Sequence, residues 1–368
     1  MVSYLVTFAC VCRLCELQNI FSKKKTITST FHTFSFGTFA IKYERVITKN
    51  EVLFKHKMSL VVVIMELRSR PSSSTSYSAD ESVYTVGSAS KWREDTTQHM
   101  RIKVVDVQDM FPSINLPSEA MSLVIPEWNN SQWLMSVDIK SSPYDNKIKT
   151  LIQKIRNVCI ASISMTAFSC RSSKYEKFEC NLKYERLRVI VDGFMDSLLH
   201  ILCFDDYPCF LYPQYNYSAH IGRNNRTINA KSDFSVLSEE NKIMLVIEDK
   251  TVTSATYANN WKEDQVMGEL FVAVHNFVSK SNNVEYPVNI YAVRVIGTLF
   301  TFYKTVATLD YIKESARLGM SVHNDMVVQR HPFVEDNPSK LTAYDICRSE
   351  DRTHILRCLC SIRKFITV

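Results

Sequence analysis

Two hydrophobic periods alternate along this chain, and their order limits the fold. Apolar residues at 148, 151, 152, 155 and 158–160, and again at 187, 190, 191, 194, 198 and 201, recur at helical spacing. Aromatic, strand-like residues punctuated by Pro208 and Pro213 follow, then two strand-like runs, "SDFSVL" and "IMLVIEDK", separated by the polar "SEEN". The segment "YANNWKEDQVMGELFVAVHNFVSK" predicts a long helix, and "VNIYAVRVIGTLFTFYK" predicts two strands around Gly297. A last amphipathic helix carries apolar residues at 355, 356, 359 and 362. Helix, strand, strand, strand, helix, strand, strand, helix predicts an α/β fold with a mixed sheet flanked by helices, and not a bundle or an all-β domain.

At 368 residues, the chain is long enough to bury a full core. Three regions are expected. Residues 1–90 form a poorly ordered N-terminal region that ends in a Ser-rich linker, "RSRPSSSTSYSADES", too poor in large apolar side chains to offset the entropy of ordering. Residues 91–180 form a helical lead-in, and residues 181–368 carry the main domain.

A net charge of +6, from 44 basic and 38 acidic residues, is compatible with a polyanionic partner without requiring one. Eleven cysteines are scattered, several within apolar runs (Cys159, Cys203, Cys209), which favours a reducing compartment. Cys10, Cys12 and Cys15 lack a second pair at zinc-finger spacing. No uninterrupted apolar segment is long enough to span a bilayer. The N-terminal "MVSYLVTFACVC" has the length of a signal-peptide core, but no basic residue precedes it and no small-x-small cleavage site is obvious. An intracellular protein, nuclear or cytoplasmic, is therefore expected.

The apolar run at 244–247 ends abruptly in Glu248, Asp249 and Lys250. If "SDF" and "VIEDK" pair as a hairpin, Asp233 and Glu248, 15 positions apart, come side by side around a turn at "SEEN". Strand alternation puts Glu248 and Lys250 on one face and Asp249 on the other. Two acids and the main-chain carbonyl of Asp249 make an oxygen-rich site of the kind Mg²⁺ prefers. Lys250 then supplies a compact positive charge against a phosphate or orients a water.

The sequence "SDF" (232–234), "VIEDK" (246–250) and a following helix with "DQVMGEL" (264–270) resembles the PD-(D/E)XK nuclease superfamily, over roughly residues 185–305. The resemblance implies a restriction-endonuclease-like fold and a hydrolase that cleaves DNA phosphodiester bonds with Mg²⁺ or Mn²⁺. It places the metal on Asp233, Glu248 and the Asp249 carbonyl, and the catalytic roles on Asp233, Glu248, Lys250 and Gln265. It also implies an acid from the preceding helix, for which Glu185, Asp192 and Asp196 all qualify. Ser232 stands where the name-giving proline would be. At 100° per residue, Gln265 falls with Glu269 and Val272, opposite the stripe of Met267, Leu270, Val274 and Phe277. Either that helix is buried on both sides or Gln265 does not face the metal.

Other chemistries find little purchase. There is no H-E-x-x-H, G-x-S-x-G, P-loop or G-x-G-x-x-G, and only seven glycines. His200 and His275 lie in apolar helical stretches and are expected to be core or boundary residues. Arg223, Arg226 and Lys231 precede Asp233 and could meet a phosphate backbone or simply be solvated. Tyr212, Tyr215, Tyr217 and Tyr303 are expected to pack the sheet. The rival reading is a module of the same fold without turnover, binding nucleic acid or protein as an effector or a mobile-element-derived protein would.

Overall fold

In the computed structural model, the residues described are 28–36, 39–47, 57–62, 87–166, 174–250, 255, 257–281, 283–319, 323–333, 341 and 343–367. The chain divides into two compact units, Met1–Ser76 and Tyr77–Val368. In the first unit, β1 (Thr28–Phe36), β2 (Phe39–Ile47) and β3 (Lys57–Val62) form an antiparallel sheet in that order. The Ser-rich segment 68–82 and the Cys10, Cys12, Cys15 cluster lie outside the described residues.

The second unit contains α1 (Glu94–His99), β4 (Ile102–Asp106), α2 (Ser118–Met121), α3 (Ser131–Ser136), α4 (Asn146–Thr166) and α5 (Lys174–Ile201). Strands β5 (Phe210–Pro213), β6 (Asn216–Ile221), β7 (Arg226–Lys231), β8 (Phe234–Leu237) and β9 (Ile243–Lys250) follow, then α6 (Glu263–Lys280), β10 (Tyr291–Ile296) and β11 (Leu299–Val306). The chain continues through α7 (Leu309–Leu318), β12 (Met326–His331), β13 (Tyr344–Asp345) and α8 (Ser349–Thr367).

Eight strands make one mixed sheet in the order β4-β12-β11-β10-β9-β8-β5, with β13 added beside β11. Pairs β9/β10 and β4/β12 are parallel and the rest antiparallel. A parallel neighbour needs a crossover, and α6 supplies it between β9 and β10. Hairpin β6/β7 stands apart as its own two-stranded sheet.

Both faces of the sheet are covered. Leu245 and Ile247 of β9 pack with Val293, Phe300 and Phe302 against α4, α5 and α8. Val246, Ala292 and Tyr303 face the opposite way, against α6 and α7. A central strand covered on both sides must be apolar throughout, which explains the run at 244–247. Most positions of the predicted stripes are buried, namely Ile148, Leu151, Ile152 and Ile155 on α4, Val191, Phe194 and Leu198 on α5, and Ile355, Leu356, Leu359 and Ile362 on α8, while Ile190 and Ile201 are half-buried and Ile160 is exposed.

The structure departs from the expected plan in three ways. Residues 91–180 and 181–368 do not separate, because α4 shares its core with α5 and α8, and β4 joins the main sheet through β12. Strands β4, β12 and β13 and helix α7 add to the expected order; the strands are short or half charged, so their periods are weak, whereas α7 is strongly amphipathic and buries Tyr311, Ile312 and Ser315. The aromatic stretch after α5 splits at Pro213, which closes β5, before β6 turns away. Among the described residues, no helix is long and apolar enough to cross a membrane.

Candidate active site

Strands β8 and β9 form the expected hairpin, with Phe234 opposite Ile247. One step further in that register places Asp233 beside Glu248. The turn lies at Ser238–Asn241, closed by the Ser238 N–H donating to the Lys242 carbonyl at 2.9 Å. Asn241 adopts φ 58°, a left-handed conformation that asparagine tolerates better than most residues.

Asp233 is buried and holds three elements together. Its Oδ2 accepts the Asp249 main-chain N–H at 2.9 Å, and its Oδ1 is ion-paired with Arg188 of α5, whose side chain is 49% exposed. Lys250 Nζ lies 3.6 Å from Asp233 Oδ2, donates to the Asp249 carbonyl at 2.9 Å and pairs with Glu248 Oε1. Glu248 Oε1 also accepts from Gln265 Nε2, which reaches Glu269 Oε1 at 2.9 Å.

The alternation of β9 sorts these groups. Glu248 and Lys250 share the α6 face with Val246, while Asp249 points with Leu245 and Ile247 toward α5. Gln265 reaches Glu248 because α6 is buried all round, from Glu263 to Asn276. The sheet covers one side of that helix, and Trp92 with hairpin β6/β7 covers the other. The first of the two alternatives for Gln265 therefore holds.

Asp192, among the three candidate helix acids, reaches the cluster beside Asp249. Asp196 is turned to His200 at 3.5 Å, and the Glu185 side chain lies outside the described residues. Two members carry no signal in the motif. Arg188 precedes Asp192 by one helical turn, a pairing that reads as an ordinary surface contact. Glu269 follows Gln265 by four, the same spacing, and only the burial of α6 brings it inward.

Burial dominates the electrostatics. Asp249 is pushed well above the usual carboxylate range by burial first, then by the charges of Asp233 and Asp192. Burial also raises Asp192, and it lifts Glu269 to about 8. Lys250 is lowered by burial, against the pull of Asp233 and Glu269. Five acids (Asp192, Asp233, Glu248, Asp249, Glu269) thus face two cations, Arg188 and Lys250. Glu248 Oε2 and Glu269 Oε2 are buried without a hydrogen-bond donor, and Asp192 and Asp249 face each other carboxyl to carboxyl, a pair that hydrogen-bonds only when one of them carries a proton.

Asp233 Oδ2, Glu248 Oε1 and the Asp249 carbonyl all converge on one cation, the Lys250 ammonium. Among the described residues, no three His, Cys, Asp or Glu side chains form a ready-made metal shell. The donor chemistry nevertheless fits a hard divalent ion: oxygens converge on a point already held by a cation, and spare carboxylate oxygens surround it. Asp233, Glu248 and the Asp249 carbonyl would hold that ion, with Lys250 moving aside.

Compared with known proteins, the chain matches no family model and no curated protein.

Proposed function

We propose that Tyr77–Val368 is a restriction-endonuclease-like domain that hydrolyses DNA phosphodiester bonds with Mg²⁺ or Mn²⁺. The observation that carries this reading is the hairpin that joins Asp233, Glu248 and Lys250 at the end of a buried strand. A bound ion would polarise a phosphoryl oxygen and make an attached water more acidic.

The chain's own residues have separable tasks. Asp233 and Glu248 fix the position of positive charge. Gln265 holds Glu248 from the helix side, so the carboxylate keeps one orientation. Lys250, poorly hydrated at 15% exposure, presents an ammonium to charge developing on a phosphate. Half-exposed Arg188 is the cation nearest solvent in the cluster and is suited to a backbone phosphate.

One observation favours the rival reading, a fold of this kind without turnover that binds nucleic acid or protein. Arg188 and Lys250 already pair with Asp233 and Glu248, as they would in a domain that had dispensed with metal. Plasmid cleavage in Mg²⁺ against EDTA separates the two. The nuclease reading expects nicking that chelation stops and Lys250→Ala abolishes; indifference to both removes it. Metal binding lost on Asp233→Asn and Glu248→Gln removes the rival.

A further inference from the structure

The geometry points to Cys159 and Cys347 as a peroxide-oxidisable dithiol, which closes into a disulfide that ties α4 to the connection between β13 and α8. Their sulfurs lie 3.6 Å apart, 188 positions apart in sequence, and both thiols are free. A disulfide needs about 2.05 Å between sulfurs, so the sulfurs must approach by roughly 1.5 Å to bond. The pair belongs to the core beneath the sheet, remote in sequence from the catalytic motif and used by none of its contacts.

The two thiols are not equivalent. Cys159 retains 8% exposure at the margin of the core, beside Ile160 at 43%, whereas Cys347 is 2% exposed. Cys159 is therefore the more accessible of the two to a molecule as small as a peroxide. The two thiols share one hydrogen bond in which either sulfur can donate, so a thiolate on one is stabilised by the S–H of the other. The thiolate is the reactive form, and the greater exposure of Cys159 gives it the leading role.

The chemistry balances with hydrogen peroxide as the oxidant. Cys159 sulfur attacks one peroxide oxygen, the O–O bond breaks, and one water leaves as Cys159 becomes a sulfenic acid. Cys347 sulfur then attacks Cys159 sulfur; the S–O bond breaks, the S–S bond forms and a second water leaves. Two thiols lose two electrons and two hydrogens to one peroxide. The loop so closed contains every residue of the candidate site, and α4 packs against α5, which carries Arg188 and Asp192. The oxidised form is thus a covalently braced version of the same fold.

The test uses the full chain, reduced, freed of reductant and exposed to hydrogen peroxide. Alkylation, digestion and non-reducing peptide mapping should find Cys159 joined to Cys347 as the main cross-link. The thermal midpoint should rise by about 5 °C and return on adding dithiothreitol. Cys347→Ser should abolish the rise and leave a Cys159 sulfenic acid that dimedone traps. Cys159 and Cys347 remaining as thiols while other cysteines oxidise, or joined to different partners, overturns the assignment. Should Cys347→Ser fail to fold, the wild-type peptide map alone decides.

Discussion

At the residue scale, Lys250 makes the sharpest demand. Its ammonium occupies the point where Asp233, Glu248 and the Asp249 carbonyl converge, so on the proposed nuclease reading it competes with a divalent ion while also taking part in the chemistry. Lys250→Ala should lower plasmid cleavage by about 100-fold or more, the usual cost of deleting a positioned charge. Mn²⁺ should still raise the thermal midpoint of that variant, because the two carboxylates remain. Loss of both effects together would mean that Lys250 holds the hairpin and does no more. His275 gives an independent test away from the cluster. It is buried on α6, shares a hydrogen bond with Ser315 Oγ at 3.0 Å, and burial lowers its pKa to about 4. The folded protein therefore keeps a neutral imidazole where the unfolded chain, titrating at the model-peptide value of roughly 6.5, takes up a proton. Stability from this residue is complete above pH 6.5 and declines as pH falls toward 4. Urea unfolding should show a loss of ~2 kcal/mol between pH 7 and pH 5 that His275→Gln lacks.

At the element scale, α6 is the piece on which the site depends. Gly268 sits in its interior, where helix propensity alone would favour alanine by about 1 kcal/mol. A Cβ there would stand 2.8 Å from Trp92 Cδ2 and 3.1 Å from Ala89 Cβ, so the helix or the indole must move. Gly193 on α5 has nothing within 4 Å of the same position. Chemical denaturation should therefore find Gly268→Ala destabilised by about 1–3 kcal/mol and Gly193→Ala stabilised by about 0.5–1 kcal/mol. Equal gains in both would show that Trp92 does not press on α6. The same helix shows what sequence can and cannot disclose. Its apolar stripe, those of α4, α5 and α8, and the β8/β9 hairpin were all legible, because each buries a face whose period is strong. Asp233, Glu248 and Lys250 were legible through their order on those strands, whereas Gln265 was reached only through the family resemblance, because its place on the helix sets it opposite the main apolar stripe. Arg188 and Glu269 were not legible, because a charge four residues from a polar partner is ordinary on any helix, and only tertiary packing turns it inward. Nor could periodicity find β12, where Gln329, Arg330 and His331 follow Val327 and Val328, or tell that β6 and β7 leave the main sheet.

At the scale of the whole molecule, the question is where the folding unit begins. The sequence pattern suggests a division near 180, with a helical lead-in before it and the nuclease-like domain after it. The packing argues otherwise. Ile148, Leu151, Ile152, Ile155 and Val158 of α4 lie in one cluster with Phe194, Leu198, Ile355 and Leu359, and β4 forms the sheet edge beside β12. Exposing five such side chains costs ~10 kcal/mol at about 2 kcal/mol each. That is as large as the entire stability of an ordinary domain, about 5–15 kcal/mol. A fragment of residues 181–368 should therefore fail to fold, showing no cooperative transition by circular dichroism or calorimetry. Tyr77–Val368 contains both hydrophobic clusters and the complete eight-stranded sheet, so it should unfold in one transition. Any cleavage activity of the full chain should survive in it. A folded 181–368 fragment would place the lead-in helices outside the core and detach Arg188 and Asp192 from the support that α4 gives α5, leaving the acid cluster without a fixed wall.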